Sequence, residues 1–230
     1  MLEQLKRSLI ASAGTIVFGM EDGTVSIFGL VFGVAATTSS NAAVLIAGAS
    51  GAAAAAVSMM AGAYLDAETN RDEMAANNAR LEADLTRDPA ALSAELSSRL
   101  GATGMQPAFS AALLGAVRSN PDASRGLLMA LQAPPAEAVL NPREQALWML
   151  LADFLAAAIP IVPFMLLPVA QARIFSAGVT ITLLVALGIG RARIGGRSMA
   201  RTVAETVTVG ITAALAGVAI GMLFDHFFSG

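Results

Sequence analysis

The sequence predicts an all-α integral membrane protein with five transmembrane helices and a helical insert between the second and the third. Three observations predict it. Of the 230 residues, 56% are hydrophobic and only 13% are charged, whereas ordinary soluble domains carry roughly 25% charge. Five stretches are apolar over about the 20 residues that a bilayer crossing needs. Between the second and third of them, Asp66–Gln145 has a different composition and holds most of the carboxylates.

The same composition excludes several function classes. A net charge of −3 without a basic, aromatic-interleaved patch gives no footprint for nucleic acid. The absence of cysteine removes disulfides, Cys-based zinc, iron–sulfur clusters and thiol catalysis. The only histidine is His226, near the C-terminus, and no serine or aspartate is placed to use it. No enzyme is therefore expected.

In order along the chain, MLEQLKRSLIASA reads as a retained interfacial helix, since the apolar run behind it is longer than a signal-peptide core. The first span is Gly14–Thr38, ended by TTSSN, and the second is the alanine- and glycine-rich Ala42–Leu65. NRDEMAANNARLEADL contains no helix breaker and continues from the second span, so one long helix is expected to run on into the insert. Pro89, Gly101, Gly104, Pro107, Pro121 and Pro134–Pro135 divide the rest of the insert into short helices. Their apolar positions, such as Leu92, Leu96 and Leu100, recur at helical spacing, which predicts a small packed bundle. The third span, Ala146–Pro168, carries Pro160, Pro163 and Pro168; kinks there free carbonyls that must face protein or water. The fourth is Ile174–Gly190 and the fifth Val203–Phe228. The domain division is thus 1–65, 66–145 and 146–230.

The basic residues orient these spans. Lys6 and Arg7 precede the first, the loop after it has no Lys or Arg, and Arg191, Arg193, Arg197 and Arg201 sit between the fourth and fifth. The positive-inside rule places the N-terminus, the insert and the arginine loop in the cytoplasm, and the C-terminus outside.

Within the first span stands GMEDGTVSIFGLVFG, with adjacent acids Glu21 and Asp22. On a helical wheel Thr15, Gly19, Asp22, Gly23, Ser26, Gly29, Gly33 and Thr37 share an arc of roughly 120°, and Glu21 points away from it. Small residues on one face let backbones approach closely. Asp22 is therefore the acid expected on a packed polar seam, and an intramembrane acid is a functional candidate by default. In the second span Gly48, Gly51, Ala55, Ser58, Met59, Gly62 and Asp66 share an arc of about 100°. A carboxylate on one helix and a thioether on its neighbour make a mixed hard and soft donor set; methionine alone is ordinarily core filler. Asp153, early in the third span, is as readily an interfacial residue as a functional one. Glu205, with Thr208 and Thr212 on its face, either lines the same cavity or pairs with the arginines of ARTVAE. Asp225 and His226 are expected at the solvated far interface.

Several stretches together resemble the vacuolar iron transporter family of plants and yeast. EDGTVSIFGLVFGVAA is similar to its first-span motif, VSMMAGAYLDAETNRD to its second-span S-M-x-x-G-E-Y-L, IPIVPF to its third-span proline motif, and GGRSMARTVAETVTVGITAALAGVAIGMLF to its last span. The resemblance implies a homodimer of five-span subunits that moves ferrous iron, and often manganese, out of the cytoplasm in exchange for protons. It assigns the family's first-span aspartate to Asp22 and its second-span methionine to Met59, the two residues the wheels select. It also implies a glutamate-rich, metal-binding insert.

The chain departs from the pattern in two places. The second-span glutamate is Ala63, which leaves Asp66 as the nearest acid on that helix. The insert keeps only Glu68, Glu73, Glu82, Asp84, Glu95 and Met129 as possible ligands, so dimerisation or weak metal binding is its expected role. Glu21 reads as an entrance residue or as a substitute for the acid missing at Ala63. The expected function is metal export with Asp22 exchanging metal for proton, Met59 as soft ligand and Glu205 on the proton pathway. Fe2+ or Mn2+ is substrate, and no cofactor is permanently bound. The rival expectation is a non-transporting membrane scaffold that uses the glycine seams for packing. The compact, alanine-rich chain points to a bacterial-type member in a cytoplasmic membrane.

Overall fold

The computed structural model describes residues 2–87, 89–102, 104–118, 126 and 141–228. Among them every regular element is an α-helix: α1 (Leu2–Ala11), α2 (Ala13–Thr37), α3 (Asn41–Arg87), α4 (Pro89–Ala102), α5 (Pro107–Arg118), α6 (Pro142–Ala158), α7 (Val162–Leu166), α8 (Val169–Ile194) and α9 (Met199–Phe228). Four helices are long and apolar enough to cross a membrane: Ala13–Thr37, Asn41–Arg80, Val169–Ile194 and Met199–Phe227. They match the first, second, fourth and fifth predicted spans, with the fourth longer at both ends than Ile174–Gly190. The second continues without a break to Arg87, as its lack of Gly and Pro after Gly62 requires.

The third predicted span is not one helix. It is delivered as α6, 17 residues long, and α7, only five. Asn141 caps α6 by accepting the backbone N–H of Arg143 at 3.1 Å, and Pro142 occupies the first turn, where its missing N–H costs nothing. Pro160 and Pro163 then remove the donors that would carry the helix onward. The freed carbonyls are taken up by neighbours: Ser176 of α8 donates to the carbonyl of Pro160 at 2.7 Å. Asn41, at the start of α3, donates to those of Phe164 at 2.6 Å and Leu167 at 2.7 Å. The expectation that these carbonyls face protein or water is met on the protein side.

The chain divides into two compact units, Met1–Ala67 with Leu140–Gly230, and Glu68–Val139. In the second, α4 and α5 each begin at a proline, and Leu96 and Leu100 are buried. In the first, α2 is central and packs on α6, α8 and α9. A cluster of Ile27, Val31, Val44, Ile161, Phe164 and smaller residues forms its apolar core. Many large apolar side chains, among them Leu155, Ile174, Phe175 and Leu215, point outward, as lipid-facing residues do. Helix α1 is tied to α6 through Ser8, which donates to Glu144 at 3.0 Å and accepts from the Trp148 indole at 3.0 Å.

The contact between α2 and α9 is made by glycine on both sides. A Cβ on Gly33 would stand 2.6 Å from the carbonyl oxygen of Gly217, and one on Gly29 would stand 2.8 Å from that of Ala213. Gly217 and Gly221 meet the Gly29 and Gly33 carbonyls still more closely. Backbone approach of this kind leaves no room for any side chain. Gly217→Val is therefore expected to destabilise the protein by about 1–3 kcal/mol or more. Gly178→Ala, whose Cβ would meet open space, should leave stability unchanged. Thermal unfolding of the detergent-solubilised variants checks both, and equal behaviour of the two would refute the zipper.

Candidate metal site

The glycines of the GMEDG segment serve a different neighbour from those of GLVFG. A Cβ on Gly19 would lie 2.8 Å from the Met149 sulfur, and one on Gly23 would lie 3.0 Å from the Asp153 carboxyl carbon, both on α6. The single seam predicted on α2 is thus shared, its first half packing on α6 and its second on α9.

Asp22 and Glu21 line one cavity of about 380 Å³, together with Phe18, Val209, Arg191 and Arg197. Asp22 is half-buried there and has no hydrogen-bond or ion-pair partner among the described residues. Glu21 does not face elsewhere, as the wheel implies. Its carboxylate accepts from the Arg191 guanidinium at 3.0 Å and from the Thr206 hydroxyl at 3.1 Å. Since Arg191 belongs to α8 and Thr206 to α9, Glu21 fastens three helices. Thr206 is fully buried and the Glu21 side chain is 13% exposed, whereas the Arg191 side chain is 44% exposed and leaves the ion pair open to solvent on that side.

Met59 and Asp66 line a second cavity of about 420 Å³ with Thr15, Met149 and Gln145. Gly14 and Phe18 border both cavities. The structure brings Met59 and Asp66 together but sets Asp22 in the neighbouring space. Ser58 is exposed and lines neither cavity. Ala63, where the resemblance expects an acid, lies in the wall of the second cavity. Glu205 sits at the head of α9 and pairs with Arg197 at 3.1 Å and Arg201 at 3.0 Å, the second of its two expected arrangements. The loop that presents Arg197 turns through Gly196 at φ +60, a conformation that favours glycine.

In the insert, Glu68 is half-buried and Glu73 exposed. The side chains of Glu82, Asp84 and Glu95, and the whole of Met129, lie outside the described residues. Among the described residues no three His, Asp or Glu side chains come together to hold a metal.

Sequence reasoning missed the placement of Asp153. It is fully buried, because α2 covers it at Gly23. Met149 stands one turn before it on the same face of α6, an i, i+4 spacing that was available in the sequence. Arg191 and Thr206 as partners of Glu21 carried no local signal, being 170 and 185 residues away.

Four helices of membrane length, packed through small residues around half-buried acids, define an all-α integral membrane protein. The sequence matches the VIT family over residues 13–222, and the chain belongs to that family. It is 29% identical over 216 residues to vacuolar iron transporter 1 of Arabidopsis thaliana, covering 92% of this chain and 85% of the relative. It is 28% identical over 210 residues to vacuolar iron transporter 1 of Tulipa gesneriana, covering 89% and 84%. Against vacuolar iron transporter 2 of Oryza sativa subsp. japonica it is 29% identical over 213 residues, covering 90% and 84%. Family members are transporters and not enzymes, in line with the absence of catalytic machinery expected from the sequence.

The tie made by Glu21 is directly testable. Glu21→Ala and Arg191→Ala are expected to be non-additive, with a coupling of about 0.2–1 kcal/mol, the range of ion pairs with a solvent-exposed partner. A double-mutant cycle on thermal stability in detergent measures it; strict additivity would show that the pair holds nothing.

Proposed function

We propose that this chain exports a divalent transition metal, Fe2+ or Mn2+, from the cytoplasm in exchange for protons. One observation carries the reading. Asp22 stands half-buried and unpaired on a cavity wall of a membrane-length helix, one residue from an acid that is firmly paired. Burial disfavours a free carboxylate, and either a proton or a cation relieves it. Metal and proton then compete for one group, and that competition is the coupling. The names of the relatives, all vacuolar iron transporters, support the choice of metal.

In this reading α6 and α7 together make the third of five crossings. The N-terminus, the residue 66–145 insert and the arginine loop are cytoplasmic and the C-terminus is outside. Met59, in the cavity next to that of Asp22, supplies a soft donor, with Asp66 and Glu21 at the approaches and Glu205 on the proton side. The exposed small-residue face of α3 supports a homodimer. The insert contributes dimer contacts or weak metal binding through Glu68, Glu73 and their neighbours. The membrane we infer is a bacterial cytoplasmic one.

In proteoliposomes carrying a pH-sensitive dye, Asp22→Asn is expected to abolish metal-driven proton flux, tested with Fe2+ and Mn2+. Wild-type flux from that variant would sink the mechanism, and no flux from the unmodified protein would favour the scaffold alternative. Met59→Ala separates soft from hard coordination. It should depress Fe2+ transport while sparing Mn2+, the harder ion; equal loss of both would deny the thioether a selective role.

A further inference from the structure

Asp153 is an acid that the export mechanism above does not use. It lies in the second half of α6 and is 0% exposed. Neither carboxylate oxygen has a hydrogen-bond partner among the described residues. Its nearest cover on α2 is Gly23, where a Cβ would stand 3.0 Å from the carboxyl carbon. Gly23 directly follows Asp22 on α2, so the Asp153 carboxyl packs against the residue next to that acid.

A buried carboxylate without donors is strongly disfavoured, and a second acid nearby makes it worse. Buried charges persist in proteins when they are paired or coordinate a metal. A proton would neutralise one acid of such a pair. A divalent cation neutralises both and turns their repulsion into attraction. We propose that Asp153 is a cation-binding residue that gives the intramembrane site its second carboxylate, opposite Asp22 across the contact of α2 with α6. The inference rests on the export reading for its substrate. Two carboxylates favour Mn2+ and Fe2+ over a purely thiophilic ion, and Met149, one turn from Asp153 on the same face of α6, lines the neighbouring cavity as a soft donor. The glycines opposite both residues, Gly19 and Gly23, keep this face of α6 free of competing side chains.

The test uses the full chain in detergent and in liposomes, with Mn2+ as probe. Asp153→Asn, which keeps shape and removes charge, is expected to weaken Mn2+ binding by about tenfold or more in calorimetric titration. It should also erase the Mn2+-induced rise in thermal midpoint, while the metal-free variant is at least as stable as the parent. Wild-type Mn2+ affinity in this variant would overturn the proposal and leave Asp153 a buried neutral acid. Should the variant fail to fold, the unmodified protein decides. A hydrophobic carbodiimide labels buried carboxyls, and mass spectrometry locates the adduct. Mn2+ is expected to protect Asp153; labelling indifferent to Mn2+ overturns the proposal. Failure of the export reading looks different. The unmodified protein would bind Mn2+ without moving it, and the Asp153 comparison would still stand on binding.

Discussion

Everything in the membrane unit depends on α2 touching two helices at backbone distance. Gly19 and Gly23 admit α6, and Gly29 and Gly33 admit α9. In lipid no hydrophobic force drives helices together, so close packing and buried polar contacts must do it. Glycine at these positions multiplies the number of atoms within dispersion range and removes side-chain entropy from the cost of docking. The same absence of side chains brings the polar groups of neighbouring helices against α2. That is how Glu21 reaches Arg191 and Thr206, and how Asp153 comes to lie against the residue after Asp22.

The interrupted helix on the other side of this contact is a second consequence of low dielectric. Two prolines end α6 and reduce α7 to little more than a turn, and a chain so broken exposes carbonyls. In hydrocarbon such carbonyls have no water to turn to. Ser176 and Asn41 meet them from α8 and α3, so the break also fixes the positions of two further helices. The fold is held where its polar backbone is most vulnerable, and the apolar cluster around Phe164 surrounds that point.

Much of this was legible in the sequence, because hydropathy and helical periodicity are local. The first span was read to within a residue at each end, and the long second helix followed from its lack of breakers. The proline kinks were expected, and so was the need to satisfy the carbonyls they free. The partners were not, since Ser176 and Asn41 are chosen by packing and not by spacing. The wheel of α2 grouped Asp22 with Gly19 and Gly23, whereas the structure turns those glycines to α6 and sets Asp22 on a cavity wall with Glu21 and Phe18. It failed for Glu21 because a wheel ranks directions without saying which helix lies in each direction. Asp153 failed for the same reason: burial depends on what covers a face. Asp22 and Met59 were each selected on their own helices, and nothing in either periodicity required them to line one cavity.

The three acids gathered around the first half of α2 differ in one physical respect, and that difference sorts their roles. A charge in a low-dielectric seam persists when an opposite charge or several donors hold it. Glu21 has both, a guanidinium and a hydroxyl, and its energy is lowest with the helices as they stand. Binding a cation there would mean breaking an ion pair that joins three helices. Asp22 has neither partner among the described residues and faces a cavity, which is the observation behind the ion-exchange role proposed for it. Asp153 is as unpartnered as Asp22 and more deeply buried. The satisfied acid therefore holds helices together, and the two acids that the fold leaves unsatisfied are the ones to which ion handling is proposed.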